Sequence, residues 1–153
     1  MGEPLTIAHY VSLRAVGGVE RQFGAFVRAA SARAGVRQVA AISSRAVHPV
    51  HGPVLSLLAD QRNEKRVIGI NLPHHPRILR LARQRWRVRR QHTDLALLWN
   101  RLAQQGRVLD AVGPERCLYW EHGSAWLYGE DESKRAVLAR LPAVICNLSL
   151  IHI

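Results

Sequence analysis

Two stretches of the chain hold the residues best suited to chemistry. The first is AVGGVERQF (15–23), in which Gly17 and Gly18 stand directly before a helical pattern. Paired glycines let backbone come close to a ligand because no Cβ intervenes, and the open N–H groups at a helix start suit a phosphate. The spacing matches neither G-x-G-x-x-G nor G-x-x-x-x-G-K-[ST], so a plain strand-to-helix turn stays open beside a phosphate loop. The second stretch is YWEHGSAWLYGED (119–131). Glu121 and His122 fall where a strand should end, followed by Gly123 and Ser124. A histidine there can hydrogen-bond a substrate or carry a proton, because its charge state is easily tuned. Trp126 and Tyr128 offer an aromatic wall of the kind that faces sugars. A packed loop with a structural histidine is the alternative. His48, His51, His74 and His75 lie in loop-like sequence without a matching set of Cys, Asp or Glu, so no metal site is expected.

These loops need elements to carry them. LTIAHYV (5–11) is apolar and rich in β-formers, and is expected as a first strand. Val19, Phe23, Phe26, Val27 and Ala30 form a helical stripe, with Gly35 as its stop. VRQVAAISS (36–44) reads as a second strand. Residues 45–66, broken by Pro49, Gly52 and Pro53, read as loop and short irregular pieces. Further strands are expected at 66–72, 94–100, 116–123 and 142–147, with helices at 76–91 and 130–141 and a helix or pair of turns at 101–113. Continuously apolar strands separated by helices predict a Rossmann-like α/β fold, a parallel sheet with helices on both faces. Ligands of such folds bind beyond the carboxyl ends of the strands. That rule selects the loops 12–18 with Gly17 and Gly18, 43–53, 72–76, 99–101 with Asn100, 121–129 and whatever follows Asn147.

The 153 residues suffice for one domain with a real core, and 48% are hydrophobic, which argues against disorder. No basic region followed by an apolar run opens the chain, and no apolar stretch approaches ~18 residues. Neither a signal peptide nor a transmembrane helix is therefore expected. Cys117 and Cys146 both fall in expected strands and read as buried thiols of a reducing compartment. The formal net charge is +11, and all basic residues but Lys65 and Lys134 are arginine. The charge favours an anionic partner, while an arginine bias from base composition alone explains it equally well.

Taken together, a first strand running into GGVERQ, a fifth ending YWEHGSAW, then a helix and VICN, resemble the N-terminal half of a family 4 glycosyltransferase of the GT-B fold. The resemblance spans most of residues 5–147, with 45–93 matching only in general layout. It implies one of two Rossmann-like domains facing each other across a cleft, this one mostly binding the acceptor. It implies a retaining transfer from a nucleotide sugar to a glycan or lipid-linked acceptor, with no further cofactor and no metal at the centre. Gly17 and Gly18 would approach the donor phosphates. His122 would lie near the reacting sugar, with Glu121 and Gly123 shaping its loop and Ser124, Trp126 and Asn100 facing sugar. The family's donor domain carries two glutamates separated by seven residues, and no such pair occurs in this sequence.

The segment 77–90 holds seven arginines, Arg77, Arg80, Arg83, Arg85, Arg87, Arg89 and Arg90. As a helix it would set Ile78, Leu81, Ala82 and Trp86 on one side. Arg80, Arg83, Trp86, Arg87 and Arg90 are candidates for docking on an anionic membrane surface, and a solvated surface helix is the equal alternative. The chain would then be cytoplasmic, peripheral at the cytoplasmic membrane face. A non-catalytic nucleotide-, phosphate- or nucleic-acid-binding α/β module is the competing class. No nucleic-acid partner is expected, because no recognised binding module accompanies the arginines. The last six residues, LSLIHI, equal one reading frame of the transposon end used in sequencing libraries. Residues 1–147 are thus expected to be domain and 148–153 an adapter-derived tail, the record stopping before a donor domain.

Overall fold

A computed structural model describes residues 3–42, 46–59, 67–69, 86, 89, 92–100, 105–121 and 131–146. The chain alternates β1 (Leu5–Val11), α1 (Gly18–Ser31), β2 (Val36–Ile42), a 3-10 turn (Pro49–His51) and α2 (Gly52–Ala59). It continues with β3 (Val67–Gly69), β4 (Leu95–Leu98), α3 (Gly106–Val112), β5 (Cys117–Glu121), α4 (Glu132–Leu138) and β6 (Ala143–Cys146). The strands form one sheet in the order β3-β2-β1-β4-β5-β6, with every neighbouring pair parallel. This is the doubly wound, Rossmann-like order, and its direction reverses between β1 and β4.

The sheet is covered on both faces, as the apolar strands require. Ala8, Tyr10, Ala96, Leu98, Cys117 and Tyr119 pack with Val108 and Leu109 of α3 and Val137 of α4. Ile7, Val11, Ala40, Ile42, Leu97 and Trp99 pack on the other face with Phe23 and Val27 of α1 and Val54 and Leu58 of α2. The α1 stripe expected from sequence meets the sheet at Phe23 and Val27, with Val19 and Phe26 at its margin. Cys117 is a buried free thiol, and burial pushes it up to about 12, which leaves it unreactive.

One expected loop is corrected. Residues 52–59 form a helix instead of irregular structure. Pro53 sits in its first turn, where the missing N–H has no intrahelical partner to lose. Proline and glycine there open the helix, and Val54 and Leu58, four apart, bury its inner face. The 3-10 turn before it is closed by His48, whose Nδ1 accepts from the Val50 N–H at 3.3 Å.

Candidate functional site

Alternation along β1 explains how the carboxyl edge is built. In a strand, successive residues turn their backbone groups to opposite neighbours. Thr6 and Tyr10 turn toward β4: the Thr6 carbonyl accepts from Asp94 N–H and the Tyr10 carbonyl from Trp99 N–H. Leu5 turns the other way and donates to the Gly35 carbonyl, just before β2. Both neighbours end before β1's continuation does. On the β4 side a side chain takes over, with Asn100 Oδ1 accepting from Ser12 N–H at 2.9 Å and Asn100 Nδ2 donating to the Ser12 carbonyl at 3.0 Å. The Asn100 amide thus does for Ser12 what a paired residue does in a ladder. On the β2 side His48 N–H donates to the Leu13 carbonyl at 2.8 Å. Further on, His51 Nε2 lies 2.8 Å from the Ala15 carbonyl.

The chain so held delivers Gly17, in extended conformation, to the start of α1. Glu20 folds back over that start. Its Oε2 accepts from Gly17 N–H at 3.0 Å and its Oε1 from Asn100 Nδ2 at 3.3 Å. A carboxylate is favourable there because it meets open N–H groups and the positive end of the helix dipole. Gln105 completes the arrangement by donating from Nε2 to the Asn100 carbonyl at 2.8 Å. Gly18 has open space where a Cβ would stand.

The structure therefore brings Gly17, Gly18 and Asn100 together at the β1/β4 reversal, the place where such sheets take ligands. Both Nδ2 hydrogens of Asn100 are engaged, on Ser12 and Glu20. Glu121 is the last residue of β5, one strand beyond β4, and is buried. It shares the register parity of Cys117 and Tyr119, which face α3 and α4. Trp86 and Arg89 are helical and exposed. His122, Gly123, Ser124, Trp126, Arg80, Arg83, Arg87, Arg90 and the tail 148–153 lie outside the described residues.

Four participants were not assigned a role from sequence. Glu20 stands three residues after Gly17, the spacing at which an acidic side chain reaches back to a helix start, and that signal was available. Ser12 and His51 lie in the loops 12–18 and 43–53 that the carboxyl-end rule selects, but their partners Asn100 and Ala15 stand 88 and 36 positions away. Gln105 carried no signal, although its partner Asn100 is only five positions back. A second polar group lies under the sheet edge. Trp99 Nε1 donates to His9 Nδ1 at 3.1 Å, so His9 carries its proton on Nε2 and donates to Gln38 Oε1 at 3.0 Å. Gln38 Nε2 donates on to the Val27 carbonyl and the Ser31 hydroxyl. Phe23 and Phe26 meet the His9 ring edge-on at 5.5 Å. Burial holds His9 down to about 4, against the Gln38 hydrogen bond, so the ring is neutral and structural.

The described residues hold no group of three His, Cys, Asp or Glu able to bind a metal, and no helix long and apolar enough to cross a membrane. The fold and its reversal-point loop define a doubly wound, Rossmann-like α/β protein. No family model matches the chain, and no curated protein or solved structure matches it either.

Proposed function

We propose that the chain is the acceptor-side, N-terminal Rossmann-like domain of a GT-B glycosyltransferase resembling family 4. The observation that carries this reading is the Gly17–Gly18 loop, fastened at the β1/β4 reversal with open space at Gly18. In this reading the loop approaches the diphosphate of a nucleotide sugar, and helix-start N–H groups stabilise charge on the leaving diphosphate. His122 lies near the transferred sugar, Glu121 anchors the strand that presents it, and Ser124 and Trp126 face sugar. The acceptor is a glycan or a lipid-linked saccharide, and the site of action is the cytoplasmic face of a membrane. A second Rossmann-like domain supplies the paired donor glutamates that this sequence lacks, so the chain alone does not turn over.

The test is a titration of the 15N-labelled chain with UDP, GDP, UDP-glucose, GDP-mannose and oligosaccharides, followed by amide shifts. The expected result is perturbation of Gly17, Gly18 and His122 by nucleotide sugars, without product formation. Turnover of a nucleotide sugar by the chain alone would sink the half-cleft reading. Perturbation by nucleotide irrespective of the sugar would favour a non-catalytic nucleotide-binding module.

A further inference from the structure

His51 is a buried histidine outside the glycine loop, and it is 6% exposed. It lies in the 3-10 turn before α2, 36 positions from its partner in sequence. Its ring spans to the Ala15 carbonyl at 2.8 Å, two residues before Gly17. A carbonyl only accepts, so Nε2 carries the proton in this bond. Two residues earlier in the loop, the Leu13 carbonyl is taken by His48 N–H, also at 2.8 Å. Two neighbouring carbonyls of one loop are thus both held by one short turn. That turn is itself anchored: α2 runs directly from it and buries Val54 and Leu58 against the sheet.

The two sides of the loop are held in different ways. On the β4 side the tie is at Ser12, immediately after β1. Nothing on that side reaches Ala15 among the described hydrogen bonds. Leu13 is buried in the core, and among the described hydrogen bonds those to the chain between Ser12 and Gly17 come from the 48–51 turn. Arg14, Ala15 and Val16 are exposed, with Val16 at 43%, so packing does little to hold this stretch. A side chain that restrains an exposed loop by one strong hydrogen bond acts on what the loop presents.

We propose that the 48–51 turn is a latch on the β1–α1 loop, with His51 the positioning residue that sets where the Gly17 and Gly18 backbone stands. The latch rests on the nucleotide-sugar reading only for the identity of the ligand the loop serves. It couples the ligand loop to α2, so that a shift of α2 on the sheet moves the glycines.

The experiment is amide hydrogen exchange on the full chain, wild type against His51→Ala and His51→Gln. Glutamine keeps an N–H donor near the position of Nε2. His51→Ala is expected to speed exchange at Gly17, whose N–H is held by Glu20, about tenfold, the size of one lost hydrogen bond, with Val27 and Val39 unchanged and His51→Gln restoring the wild-type rate. UDP affinity, measured in parallel, is expected to fall by a similar factor in His51→Ala and to recover in His51→Gln. Loop exchange unchanged in His51→Ala overturns the latch. An equal rise at Val27 and Val39 also overturns it, because His51 would then merely support the whole domain. Loop exchange as expected with no UDP binding by any of the three proteins leaves the latch standing and removes the nucleotide-sugar reading instead. Should His51→Ala fail to fold, His51→Asn, whose amide is too short to reach Ala15, takes its place with the same expectations.

Discussion

Burial moves the titration of His9 far from the ordinary histidine value, and its role is in stability. Its folded value of about 4 lies below the ordinary 6.5 because burial among aromatic rings disfavours the charged form. The unfolded chain therefore binds more protons than the folded one between those values. Stability is complete above pH 6.5 and falls as the pH drops toward 4, by about 3 kcal/mol in total. Urea midpoints measured across that window check this, and His9→Gln should flatten the slope. Asp131 titrates separately, held down to about 2 by the Ser133 hydroxyl and by Lys134. Its contribution is present above 3.8 and lost only as the pH falls through 2, so the two windows do not overlap. Asn100 is the second residue whose chemistry is structural. Asn100→Asp keeps the shape but loses both donors and sets a carboxylate beside Glu20. A loss of roughly 2–3 kcal/mol by chemical denaturation is expected, since Ser12 and Glu20 each lose a partner. At this scale the sequence was least legible. GGVERQ announced a helix start, and Glu20 within it could be read as its cap. His9 sat inside an apolar strand, and nothing local shows that Trp99 and Gln38 close its hydrogen bonds from 90 and 29 positions away.

The elements were far more legible, because strand burial and helix periodicity are local patterns. β1 falls at the residues expected, and the sheet is parallel because its strands are apolar on both sides. The exception, α2, was hidden by Gly52 and Pro53, which break a helix interior but are tolerated in its first turn. Glycines divide similarly between those the fold needs and those it does not. Gly113 joins α3 to the turn before β5 with φ 102° and ψ 127°, a region that L side chains rarely enter. A Cβ there would also press on the Glu115 carboxylate, a flexible group that can move aside. Gly113→Ala is expected to cost about 2 kcal/mol from the backbone alone, read as a lowered urea midpoint. Gly18 opens α1 with free space at the Cβ position. Gly18→Ala should leave stability within about 0.5 kcal/mol, as helix propensity slightly favours alanine. A variant that folds normally yet loses nucleotide affinity would then isolate close backbone approach as the job of this glycine.

For the whole molecule the governing quantity is charge. At +11 the chain is drawn to any polyanion, so attraction alone does not choose between membrane and nucleic acid. The choice turns on what accompanies the arginines. Trp86 is helical and 56% exposed, within the segment that holds Arg80, Arg83, Arg87 and Arg90. An exposed tryptophan amid arginines suits an interface where the ring enters the headgroup layer and the guanidinium groups meet anionic lipid. Each arginine near such a surface adds about 1 kcal/mol, and screening over roughly 10 Å at 0.1 M salt weakens that attraction. The expected behaviour is flotation with vesicles containing one third phosphatidylglycerol, loss of binding at high salt, and no binding to pure phosphatidylcholine. Trp86→Ala should weaken vesicle binding severalfold at low salt while leaving retention on heparin unchanged, since heparin offers charge without an apolar layer. Retention on heparin with no flotation at any salt would remove the membrane from the reading and move the chain toward the nucleic-acid class.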